Sequence, residues 1–222
     1  MSHDVFITGG TGYIGRALIP GLAKRGHSIR ALVRAGSEGK LVSGALPVQG
    51  DALDARSYAA SVAPADTFVH LVGTPHPSPA KARQFREVDL VSIEAAVAAA
   101  SSARIAHFIY LSVAQPAPVM AAYIAVRSAG EAMLRASGIP TTVVRPWYVL
   151  GPGHRWPLAV LPAYWLMERL PATREMATRL GLVTLDEVVR ALLYAIENPP
   201  EALRIVDVPG IREHGAQGPH PF

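Results

Sequence analysis

Short apolar runs alternate along this chain with longer stretches in which apolar residues recur every three or four positions. The short runs predict strands near 4–8, 28–33, 46–49, 67–72, 107–112, 141–145 and 204–208. The longer stretches predict helices near 12–25, 54–61, 80–102, 120–137, 158–170 and 185–197. Such alternation is the pattern of an α/β protein with a doubly wound parallel sheet. In the first helix Leu18, Ile19 and Leu22 form a stripe to bury, while Pro20 removes one hydrogen bond and predicts a bend. The alanine-rich stretch 94–100 reads as a helix lying close on the sheet. Residues 215–222 are rich in Gly, Pro and His and lack an apolar period, so a poorly ordered tail is expected, with folding back over the body as the alternative. The expected division is a core over 1–153, a small C-terminal subdomain over 154–212 that completes the fold, and a tail over 213–222.

The first strand runs directly into Gly9, Gly12 and Gly15, and a helix pattern follows. Glycine permits a sharp turn with positive φ and lets a ligand approach without a Cβ in the way. The helix then opens with unpaired N–H groups and a partial positive charge, which suit a pyrophosphate. A plain βα turn that binds nothing is the bland alternative. The strand before and the helix after favour nucleotide binding.

Composition narrows the classes further. The chain has 222 residues, half of them hydrophobic, which suits one compact domain with a sizeable core. The net charge of +4 is mild and no segment concentrates Lys and Arg, so nucleic acid is not an expected partner. Cysteine is absent, which excludes disulfides, thiolate metal sites and a cysteine nucleophile. The scattered His residues form no H-x-x-x-H pair, and no metal is expected. No signal peptide is visible before Asp4, and the longest apolar stretch, 157–167, is too short to span a bilayer. A cytoplasmic location is the default expectation.

The second strand bears on which nucleotide is bound. An NAD site places a carboxylate about 20 positions past the glycines, against the ribose 2′-hydroxyl. Here Arg34 stands at that place, and no carboxylate appears before Glu38. Arginine meets a 2′-phosphate through its planar fork. Ser37 and Lys40 stand close enough to help. NADP is therefore the expected coenzyme, with NAD the second choice and a solvated Arg34 the bland alternative. Asp51, in Gly50-Asp51-Ala52 after the third strand, reads as an acceptor for the adenine amino group or as a turn cap, roles that are compatible. In Leu71-Val72-Gly73-Thr74 a small residue lets the backbone run beside the nicotinamide ribose.

Taken together, the chain resembles the short-chain dehydrogenase/reductase superfamily, in its atypical or extended, epimerase/dehydratase-like branch. The matching segments are Thr8-Gly9-Gly10-Thr11-Gly12-Tyr13-Ile14-Gly15, Gly50-Asp51, Tyr110-Leu111-Ser112, Tyr123-Ile124-Ala125-Val126-Arg127 with Gly130-Glu131 behind it, and Arg145-Pro146 through Gly151-Pro152-Gly153. They span roughly residues 4–208 in the family's order. The resemblance implies a Rossmann fold whose coenzyme site takes in Thr11, Tyr13, Ile14, Ala52, Val72, Gly73, Arg127 and Pro146 beside the glycines, Arg34 and Asp51. It also implies a catalytic serine, tyrosine and lysine, which become Ser112, Tyr123 and, as a departure, Arg127. Residues four apart share a helix face, so Tyr123 and Arg127 are expected to enter one cleft. Arginine supplies a permanent charge but is bulkier than an ammonium and does not readily relay a proton. The bland alternative half-buries Tyr123 and leaves Arg127 solvated.

Three readings stay open: a reductase of a small apolar carbonyl compound, a catalytically inert NAD(P)H-binding regulator or assembly module, and, less favoured, a sugar-nucleotide epimerase or dehydratase. Hydride transfer with solvent as the acid is a variant of the first. The segment 158–170, apolar on nearly every side, reads as a core helix, a lid on the substrate pocket, or a surface meeting a membrane or partner. His154 and His76 are loop residues in the safer reading.

Overall fold

The computed structural model describes residues 2–153, 175–176 and 178–216. The helix expected at 158–170 and His154 lie outside the described residues. Among the described residues nine strands are formed: β1 (Asp4–Thr8), β2 (Ser28–Val33), β3 (Leu46–Gln49), β4 (Thr67–His70), β5 (His107–Leu111), β6 (Thr141–Val144), β7 (Tyr148–Leu150), β8 (Leu182–Thr184) and β9 (Leu203–Val206). The longer helices that accompany them are α1 (Tyr13–Lys24), α2 (Val91–Ser102), α3 (Ala121–Ser137), α4 (Leu185–Glu197) and α5 (Val208–Ala216). Seven strands form one parallel sheet in the order β3-β2-β1-β4-β5-β6-β9, and β7 pairs with β8 in a small second sheet. This is the doubly wound Rossmann architecture that the alternation predicts.

Strand alternation explains the two core layers. Successive side chains of β1 point to opposite faces: Val5 and Ile7 join the layer of α1 and α4, whereas Phe6 enters the layer of α2 and α3. Phe6 pairs in register with Phe68, and Phe68 with Phe108, so three rings meet across β1, β4 and β5 at centroid separations of 5.3 and 5.0 Å. The alanines of α2 are what allow a helix to lie on this ring layer: Ala96, Ala99 and Ala100 are buried there. Helix α4 starts at a capping box, in which Thr184 accepts from the Glu187 N–H at 3.1 Å and Glu187 accepts from the Thr184 N–H at 2.6 Å.

Beyond β7 and β8, which no predicted strand covers, three elements differ from expectation. Residues 54–61 form two 3₁₀ turns, Ala55–Ser57 and Ala59–Ser61, in place of an α-helix. The helix expected at 80–102 opens with short turns and a π-helical turn, Phe85–Leu90, before α2. Helix α5 is unexpected: Val208, Ile211 and Gly215 turn inward from a Pro- and Gly-containing segment and pack on α4. Gly215 fits because a Cβ there would stand 2.5 Å from the Glu187 side chain. The first part of the expected tail therefore belongs to the fold. Helix α1 runs through Pro20 with that residue on its exposed side.

Candidate functional site

Strand order reverses between β1 and β4, and such a switch point at the carboxyl edge of a parallel sheet is where ligands bind. The glycine loop stands there. Gly9 adopts φ +80°, and a Cβ on it would lie 2.8 Å from the Leu71 carbonyl carbon. Gly15 packs so closely under the loop that a Cβ would stand 2.6 Å from both the Gly9 oxygen and the Gly10 Cα. Gly12 is the N-cap of α1, with no side-chain cap and no acidic residue in the first turn. The first-turn N–H groups thus meet no anionic side chain, as a cradle for a bound anion requires. Thr11, Tyr13 and Ile14 complete this turn, and the Tyr13 hydroxyl reaches Gly151 beyond β7, where glycine leaves the space for it. Burial pushes that phenol's pKa up. These residues fit a dinucleotide's pyrophosphate.

At the far side of the crevice Arg34 is exposed at the end of β2, with no side-chain hydrogen bond or ion pair among the described residues. The first carboxylate after it, Glu38, accepts from the Gln49 amide at 2.7 Å. Asp51 caps its own turn, one oxygen accepting from the Leu53 N–H at 3.0 Å, and Ala52 follows it half-buried. Asp51 thus holds its own turn, while Asp54 caps the turn that follows by accepting from the Arg56 N–H, and the second oxygen of Asp51 has no intramolecular donor among the described residues.

Helix α3 presents Tyr123, Arg127 and Glu131 on one stripe, one turn apart. Tyr123 is half-buried, its ring 4.9 Å from that of Phe85 and 5.1 Å from the Arg127 guanidinium carbon. Arg127 is not solvated: it is 3% exposed and pairs with the fully buried Asp89 at 2.7 Å. Its fork also donates to the carbonyls of Val72 at 3.3 Å and Leu111 at 3.1 Å, and lies against Gly73. Burial works against the charged form, but Tyr123, Tyr110 and Asp89 outweigh it and hold the guanidinium protonated. Asp89 further accepts from the Thr74 hydroxyl at 2.6 Å and the Thr74 N–H at 3.1 Å.

Ser112 is turned elsewhere than the resemblance implies. Its hydroxyl donates to Glu131 at 2.6 Å, and a carboxylate can only accept, so the one proton of this serine is committed. The same carboxylate accepts from Gln115 at 2.9 Å and from both Nε and a terminal nitrogen of Arg145. Among the described residues no hydrogen bond joins Ser112 to Tyr123. The neighbouring Pro146 is buried, its carbonyl accepting from the Ala114 N–H at 3.0 Å, which ties the exit of β6 to the loop after β5.

Sequence reasoning misses Asp89, Glu131 and His70. Glu131 carries a signal, standing four residues beyond Arg127 on the same stripe; Asp89 and His70 carry none, because their partners come from other elements. His70 sits wholly buried, with Nδ1 2.8 Å from the Thr8 hydroxyl and Nε2 3.4 Å from that of Ser92. Burial, helped by the Arg127 charge, pushes its pKa down to about 3, and burial pushes His107 down to about 4. Both fall below the unfolded value, so unfolding takes up protons below about pH 6.5. Their stabilisation is complete above that pH and is lost on acidification toward pH 4, by up to about 1.4 kcal/mol per pH unit for each ring. The urea midpoint should fall steadily from pH 6.5 to 4.5; a flat profile refutes the neutral assignment.

Comparison with known proteins places these features in context. The model of a family described as NAD(P)H-binding matches residues 9–154. A ceramide reductase of Caulobacter vibrioides is 30% identical over an alignment covering 95% of this chain and 66% of that protein. A 4-hydroxy-2-methyl-3-oxo-4-farnesyl-3,4-dihydroquinoline-1-oxide ketoreductase of Stigmatella aurantiaca is 29% identical, covering 66% of this chain and 50% of that one. The chain thus spans just under two thirds and half the length of these two relatives. Among solved structures, the Bordetella bronchiseptica enzyme WbmH in complex with NAD+ superposes with a TM-score of 0.69 at 21% identity, covering 96% of this chain and 79% of that one. A UDP-N-acetylglucosamine 4-epimerase from Bacillus cereus gives 0.68 at 16% identity, covering 92% and 77%. At such identities the two structures show a shared fold.

Proposed function

This chain belongs to the NAD(P)H-binding family, and on that premise we propose that it is an NADPH-dependent reductase of a carbonyl group carried on an apolar, lipid-like molecule. The observation that carries the reading is the seat of Tyr123 beside the carboxyl edge of the sheet, its ring tilted at 51° against that of Phe85 and facing the permanent positive charge of Arg127. The names of the two relatives, one acting on a ceramide and one on a farnesyl-bearing ring, supply the substrate class.

In this reading the N–H groups of the Gly9–Gly15 turn hold the pyrophosphate, Arg34 the 2′-phosphate and Asp51 the adenine amino group. The bound nicotinamide supplies the hydride. Tyr123 gives its phenolic proton to the carbonyl oxygen and recovers one from solvent. Arg127 contributes charge beneath the phenol and does not relay a proton. Ser112, with its proton on Glu131, leaves carbonyl orientation to other groups. The second reading, an inert coenzyme-binding module, draws support from the same commitments of Ser112 and Arg127 to buried partners.

The test combines coenzyme titration with an oxidation assay against long-chain ketones. Wild type should prefer NADPH and oxidise it with at least one apolar ketone. Arg34→Glu should weaken NADPH by roughly tenfold to a hundredfold, the worth of a charged hydrogen bond, while leaving NADH nearly unchanged. Equal loss for both coenzymes defeats the NADP assignment. Tight coenzyme binding without turnover of any ketone in the panel favours the inert module.

A further inference from the structure

We propose that Asp89 is a positioning residue that commits Arg127 to the main chain, so that the nicotinamide half of the coenzyme meets a backbone edge clamped by Arg127 and not the guanidinium itself. The inference rests on the coenzyme reading above.

The local backbone explains how Asp89 comes to be there. It lies in the π-helical turn Phe85–Leu90, where the wider turn slips the helix register, and such turns are frequent at functional sites. The slip delivers a carboxylate into a fully buried position beside Thr74. One carboxylate oxygen takes the Arg127 nitrogen at 2.7 Å and the other takes the Thr74 hydroxyl at 2.6 Å. The Thr74 N–H lies 3.2 and 3.1 Å from the two oxygens. Asp89 therefore fixes the loop after β4 and the guanidinium at once.

The guanidinium is spent on backbone in turn. The Val72 carbonyl lies just past the end of β4 and the Leu111 carbonyl at the last residue of β5, beyond the last paired residues of the β4–β5 ladder. These carbonyls are partly buried and without a ladder partner on that side, so a donor there is favourable. Arg127 reaches Leu111 at 3.1 Å and Val72 at 3.3 and 3.4 Å, and touches the Tyr110 hydroxyl at 3.5 Å. Its Nε is buried with no partner among the described residues, so no donor of this fork is turned to an exposed ligand. A Cβ at Gly73 would run into the guanidinium, which accounts for glycine beside Val72. A lysine at 127 has a single ammonium and no rigid fork for two carbonyls and a carboxylate.

The test separates the two halves of the coenzyme. Binding of NADPH and of 2′-phospho-ADP-ribose, which lacks the nicotinamide, is measured by calorimetry on the full chain. Asp89→Asn keeps the shape but removes the charge that holds Arg127 and leaves only a neutral acceptor. It should weaken NADPH by roughly tenfold, the worth of a single hydrogen bond, while changing 2′-phospho-ADP-ribose less than about twofold. Gly73→Ala, which displaces the guanidinium without touching the ion pair's charges, should give the same split and serves if Asp89→Asn does not fold. Equal weakening of both ligands, or of neither, overturns the proposal. Wild-type protein that binds neither ligand overturns the coenzyme reading itself, a distinct outcome.

Discussion

Tyr123→Phe is expected to lower ketone-dependent NADPH oxidation by about 10²- to 10⁴-fold, the usual weight of a positioned general acid. Coenzyme affinity should stay within a factor of about two, because the ring's packing on Phe85 and Arg127 survives removal of one oxygen. The two measurements together make the test specific. A loss confined to turnover marks Tyr123 as the proton source. Unchanged turnover removes it from the mechanism and leaves solvent as the acid. Loss of affinity and turnover in parallel points to a packing role at the pocket wall.

Gly15→Ala is the second large effect. The added methyl would stand 2.6 Å from the Gly9 oxygen and the Gly10 Cα and 2.7 Å from the Gly10 oxygen, all of them backbone. No side chain can swing aside, so either the loop lifts or the first turn of α1 backs away. Pulling the donors off the phosphates is expected to cost coenzyme affinity on the order of a hundredfold, the worth of a charge-assisted hydrogen bond. Calorimetric titration with NADPH reads this directly. The thermal midpoint should fall as well, since the loop is pinned against Leu71 by Gly9. Retained affinity would show that the phosphate cradle lies elsewhere.

The candidate site is legible in the sequence to the extent that one element carries the information. The glycine turn is a local device: strand, bend and helix start follow one another within a dozen residues, and each glycine answers a local steric demand. Tyr123 and Arg127 are readable as sharing a face because helix period alone dictates it. The partners of those residues are not. Asp89 is 38 residues from Arg127 in sequence, and it reaches Arg127 through a π-helical turn that an α-helical period places wrongly. Ser112 reads as a substrate-facing hydroxyl because nothing near it in sequence announces Glu131, 19 residues on. His70 ends an apolar strand and has the look of an ordinary boundary residue; only the packing of β1 and the helix start at Ser92 reveals it as a buried neutral ring.

The amino-acid order by itself determined the alternating elements, the parallel sheet and the glycine turn at its switch point, because apolar period and glycine sterics act over a few residues. What each charged group at the carboxyl edge holds was decided only by the assembled fold. A fork such as that of Arg127 has several possible partners of similar strength, and the one it takes depends on which distant strand ends and carboxylates are buried beside it, where water no longer competes.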